Sequence, residues 1–152
     1  MTVVVLHLSR RADRPQRLGA MMGFDADEHA AHCARLLALG LYDPVAVVDT
    51  EDLDYAYEAT NTVGVQWYLP AVCASARVRY CGPPEGCRST SVGDVLYAGD
   101  KFHVVASFGF TDVTQQVAEA AAGRDGPPLA EQMTQLAQFA QKTWQGSRHA
   151  DV

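Results

Sequence analysis

The sequence predicts a single α+β domain: a mixed or antiparallel sheet of about five strands, two to three covering helices, and an amphipathic C-terminal helix. Three observations lead there. Short β-rich runs are separated by Gly, Pro and Asp, other segments repeat apolar residues every three or four positions, and a Gly-Asp pair joins two strand-like runs. A chain of 152 residues that is 48% hydrophobic can bury one core, and a Gly/Pro-rich break near its end divides it into a domain over 1–122, a linker over 123–128 and a helix over 129–145.

Thr2 to Leu8 reads as a buried strand; it is too short for a membrane span and lacks the basic start and small-residue cleavage site of a secretory signal. Ser9 to Arg17 shows no apolar periodicity and reads as a loop or mobile arm, and Gly19 to Asp27 as irregular chain. Asp25 or Asp27 caps a helix over about Glu28 to Leu39, with Ala30, Cys33, Ala34 and Leu37 on one face and Gly40 as its stop. Asp43-Pro44 marks a turn before the short strand Val45–Val48. Thr50 and the acidic residues after it start a helix from about Glu51 to Thr60, whose inward face holds Leu53, Ala56 and Tyr57. Ala76 to Tyr80 alternates as a half-exposed strand, and Cys81 to Cys87 is a loop because two glycines and two prolines exclude regular structure.

Gly99-Asp100 between Val95–Ala98 and Lys101–Val105 predicts a two-residue hairpin. Its register pairs Ala98 with Lys101, Tyr97 with Phe102, Leu96 with His103 and Val95 with Val104. Val95, Tyr97, Phe102 and Val104 then form the better core face, continued by Ala106, Phe108 and Phe110, with Leu96, His103, Val105 and Ser107 opposite. A short helix over Asp112 to Ala121 follows. Leu129, Met133, Leu136, Ala137, Ala140 and Trp144 recur at helical spacing in the last helix, which either docks on its own domain or packs on a partner as a homodimer contact.

Arg88-Ser89-Thr90-Ser91-Val92-Gly93-Asp94-Val95, with Ser107-Phe108-Gly109-Phe110 after the hairpin, resembles the pattern of small YodL-like proteins and domains carried by actinobacterial phages, plasmids and other mobile elements; Thr60-Asn61 with Trp67 resembles an element that precedes it. The resemblance covers roughly the middle third of the chain. It implies a genomic setting and brings no catalytic residues with it, while the Cys81–Cys87 loop and the Gln-rich terminal helix depart from the pattern.

A net charge of −6 disfavours non-specific attraction to phosphate backbones. Arg10, Arg11, Arg14 and Arg17 nevertheless concentrate positive charge, and a nucleic-acid-binding regulator using them is the first alternative function. His29 and Cys33 share a helix face and could meet Cys81 and Cys87 in a metal site, although five residues between the last two exceed the usual ligand spacing. A small metal- or thiol-dependent enzyme is the second alternative. His7 reads as a satisfied interior or edge residue and His103 as a strand surface residue rather than a base, and no nucleotide-cradling or serine-hydrolase signature is present. The preferred expectation is a cytoplasmic, non-enzymatic protein-interaction module without cofactor or membrane association, a mobile-element accessory or regulator. It would contact a host or self protein through the acidic helix (Glu51, Asp52, Asp54, Glu58), the terminal helix (Met133, Leu136, Trp144) and the hairpin.

Overall fold

The computed structural model describes residues 2–22 and 25–122, together with Glu131, Thr134, Gln135, Gln138 and Lys142. Strand β1 (Val3–Leu8) opens on five buried residues because it lies inside a sheet covered on both faces. Five further strands complete the antiparallel sheet: β2 (Tyr42–Val48), β3 (Val78–Tyr80), β4 (Val95–Ala98), β5 (Lys101–Val105) and β6 (Phe110–Asp112), in the order β3-β2-β1-β4-β5-β6. The fold is therefore α+β as expected, with six strands where about five were anticipated.

Helices α1 (Arg14–Met21), α2 (Ala26–Ala38) and α5 (Thr114–Ala121) cover one face, burying Val4, Leu6, Val95, Tyr97, Phe102 and Val104 beneath Ala20, Leu37 and Val117. Helices α3 (Leu53–Ala59) and α4 (Pro70–Ser75) cover the other, over Val3, Val5, Val48, Leu96 and Val105. Burial on both faces explains the unbroken apolar run of β1, which a sheet with one wet face would have interrupted.

The hairpin register is as predicted: Val95 opposite Val104, Leu96 opposite His103, Tyr97 opposite Phe102 and Ala98 opposite Lys101. Gly99 and Asp100 have φ of 56° and 64°, the two positive values of the turn whose twist suits a tight hairpin. The facing needs correction. Leu96 and Val105 are as buried as the set opposite them, because helices lie on that side too. Phe108 and Phe110 do not continue the first face: Ala106 N–H donates to Gly109 O (3.0 Å), reversing the chain into β6, so that Phe108 is 96% exposed and Phe110 packs on the α3–α4 side.

Other departures have local causes. The arginine-rich stretch from Arg14 is the helix α1, because Asp13 and Gln16 exchange capping hydrogen bonds and Pro15 sits where its missing N–H costs nothing. Asp43-Pro44 lies within β2 at a bulge, where Leu6 pairs with Pro44 and Val5 with Ala46, leaving Val45 as the extra residue. Because β3 pairs only with Ala46–Val48, Pro44 lies beyond the paired stretch on that side of β2. Pro70 starts α4, and Phe110–Asp112 is a strand that shortens the following helix to Thr114–Ala121.

Among the described residues, no helix is long and apolar enough to cross a membrane. The linker 123–128 lies outside the described residues, as do Met133, Leu136 and Trp144. Glu131, Thr134, Gln135, Gln138 and Lys142 are helical, and Thr134 Oγ1 lies 3.0 Å from Tyr97 Oη, a contact within the chain.

Candidate functional site at one end of the sheet

The end of β1, the start of β4 and the end of β5 meet at one end of the sheet, where Gly93 N–H donates to Val105 O (2.9 Å). The segment Arg88–Asp94 is folded across this end, and Asp94 organises it. Its carboxylate is 1% exposed and accepts from Leu8 N–H (3.0 Å), Ser91 N–H (2.8 Å) and both terminal nitrogens of Arg88 (2.5 and 2.7 Å). A buried carboxylate is tolerated only when compensated in this way. The same pairing holds the Arg88 guanidinium above its ordinary pKa. Gly93 is required beside it: its φ is +92° and an added Cβ would come within 2.4 Å of Ala20 O on α1.

A buried hydrogen-bond chain runs behind this ion pair. Thr60 Oγ1 lies 2.9 Å from Ala56 O, a carbonyl that can only accept, so the Thr60 proton is spent there. Thr90 Oγ1 (2.8 Å) must then donate to Thr60, and His7 Nε2 (2.8 Å) must donate to Thr90. His7 is thus a neutral imidazole protonated on Nε2. Burial pushes its pKa down to about 4, against partial opposition from the Asp94 carboxylate 3.9 Å away. Thr60 and Thr90 are fully buried and His7 is 5% exposed, so the chain is closed to substrate and acts as a joint between α3, β1 and the Arg88–Asp94 segment.

Outside this core the surface turns apolar. Trp67 is buried edge-on to His7, Tyr68 and Tyr80, and its Nε1–H donates to Arg88 O (3.0 Å). An open groove of about 340 Å³ runs beside it, between Val65, Trp67 and Tyr68 on one wall and Arg88 and Ser89 on the other. Val63 is 97% exposed and Val65 52%. Asn61 donates to Tyr57 Oη (2.6 Å) and the Tyr57 ring meets that of Phe110, which ties the loop carrying Val63 to the turn carrying Phe108.

The residues singled out from the sequence do not converge. Glu51, Asp52, Asp54 and Glu58 are exposed on or before α3, with Asp52 capping the helix through Asp54 N–H (2.9 Å). Arg10, Arg14 and Arg17 are exposed, while Arg11 is held by Gly40 O (2.9 Å) and Asp43 (3.1 Å). His29 and Cys33 do face each other (3.7 Å) but lie in the α2 layer, whereas Cys87 packs on the opposite face of the sheet. No group of three metal-ligating side chains occurs among the described residues. Burial raises all four thiols, Cys33 and Cys81 to about 11, which leaves little thiolate for nucleophilic chemistry. A second groove, of about 590 Å³ between α1 and α2, is lined by Asp25, Glu28, His32 and Arg35, charges of both signs without a common target.

Sequence reasoning missed the joint of His7, Thr60, Thr90 and Asp94, since polar residues 83 positions apart carry no local signal of contact. It also missed Val63, Val65 and Phe108. A signal for them existed: each is a large apolar residue in a stretch otherwise made of Gly, Ser, Thr, Asn and Gln. Compared with protein-family models, curated proteins and solved structures, the chain matches none.

Proposed function

We propose that the chain is a non-enzymatic protein-interaction module that docks through the loops at the Arg88 end of its sheet. One observation carries this reading: Val63 and Phe108, 97% and 96% exposed, are presented on two loops tied together through Asn61, Tyr57 and Phe110 beside the buried polar joint. Apolar side chains held outward on a rigid base fit a surface that a partner covers. The enzymatic alternative gains nothing from the same end of the fold, where His7 and Thr90 donate along the buried chain to Thr60, Thr60 donates to Ala56 O, and the Asp94 carboxylate accepts from Leu8, Ser91 and Arg88. The resemblance of the Arg88–Val95 segment to mobile-element proteins favours a regulatory or accessory role in the cytoplasm of a host cell.

The test is a doubly substituted chain, Val63→Ser with Phe108→Ser, compared with wild type in quantitative capture from the same lysate. Proteins retained by wild type and lost from the variant, at matched thermal stability, support the proposal. An identical captured set refutes it.

A further inference from the structure

Resting on the docking reading above, we infer that the occupant of this surface is a basic protein segment carrying one large apolar anchor, and that the groove beside Trp67 receives the anchor. Three features select it. The groove of about 340 Å³ is at the low end of small-molecule pockets and open along its length, which suits a single inserted side chain. Its walls combine the apolar Val65 and Trp67 with Tyr68 and Ser89, and the exposed Val63 lies in sequence between its lining residues Thr62 and Gly64.

Charge complementarity chooses the rest of the partner. Residues 36–76, the stretch that forms α3, α4 and the Val63–Val65 loop, contain six carboxylates and no Lys or Arg, so they account for the entire net charge of −6. Of these, Asp43 is paired with Arg11. Asp54 and Glu58 are exposed one turn apart on α3, and Glu58 O accepts from Asn61 N–H (3.3 Å) at the start of the loop. Arg88, the charged residue bordering the groove, is paired with Asp94, and Arg77, just beyond this stretch, packs over the Tyr55 ring, which leaves the Asp54 and Glu58 carboxylates to set the field at the loop end of α3. Such a field repels anionic partners and steers cationic ones onto the patch.

The test uses random dodecapeptides displayed on phage, selected on the whole chain. Enriched peptides are expected to carry net positive charge and a Trp, Phe or Leu. Synthesised and titrated by fluorescence anisotropy, they should bind at least about tenfold more weakly to the Asp54→Lys, Glu58→Lys double variant and to Val65→Ser, and more weakly at high salt, as exposed charges require. Neutral or acidic enriched peptides, or none whose binding the variants reduce, overturn the inference while leaving the capture result above untouched. Sedimentation supplies the remaining outcome: self-association removed by Phe108→Ser would make a second copy the occupant and overturn the basic-segment assignment.

Discussion

Neutralising the titration of His7 should flatten the acid side of the stability curve. The imidazole is 5% exposed and its pKa is lowered from 6.5 to about 4, so the folded protein resists the proton that the unfolded chain accepts. Between those two values the unfolded state binds more protons, and stability falls as the pH drops. The contribution is fully present above about pH 6.5 and is lost progressively toward about pH 4. A shift of this size corresponds to about 3 kcal/mol in all, of which about 2 kcal/mol disappears between pH 7 and pH 5.

His7→Gln isolates the effect, because the glutamine amide can donate to Thr90 from near the position of Nε2 without titrating. Urea unfolding of both proteins at pH 7, 6 and 5 should show wild type losing about 2 kcal/mol more than the variant, whatever the variant loses at neutral pH. His103, whose pKa burial also lowers, and Asp112, held low by hydrogen bonds from Thr114, are common to both proteins and cancel in the difference. Parallel pH profiles would refute the assignment of His7 as a buried neutral donor.

Three further outcomes test the same end of the fold. Thr90→Val strands the His7 donor in a dry interior and removes the bond that Thr60 accepts, and should cost about 1–3 kcal/mol by chemical denaturation, whereas Thr90→Ser should recover most of it. Arg88→Ala leaves the buried Asp94 carboxylate with only the Leu8 and Ser91 N–H groups and should destabilise by about 3 kcal/mol, the low end for a buried pair because Arg88 is half exposed, with Arg88→Lys rescuing only part because the two-pronged contact is lost. Gly93→Ala meets both a positive φ and the Ala20 carbonyl, and should lower the melting temperature by several degrees, while Gly99→Asn, in a hairpin turn where a Cβ meets nothing, should leave it nearly unchanged.

The elements readable from the sequence were those whose signal is local. The hairpin register follows from two turn residues and strict alternation, and α2 from its cap at Asp25 and its apolar stripe. What sequence reading lost depended on distant partners. Whether Leu96 faces water is decided by α3 and α4, more than 20 residues upstream, and whether Pro44 ends a strand is decided by how far β3 extends along β2. Helix α1 was lost for a different reason: its stability rests on a reciprocal cap and on Ala20 packed against Gly93, so an arginine-rich composition concealed an ordered element.

The segment Arg88–Asp94 shows both regimes at once. Its hydroxyls and glycine announce a turn, yet its role comes from what it spans: Asp94 to Leu8 on β1, Thr90 to Thr60 after α3 and to His7, and Arg88 O to Trp67. Each link joins elements that the chain visits separately, so weakening one loosens the base on which the Val63 loop and the Phe108 turn stand. A substitution inside the joint should therefore reduce binding as well as stability, whereas Phe108→Ser should reduce binding alone. That separation, measured on the same preparations, divides the bracing residues from the docking surface.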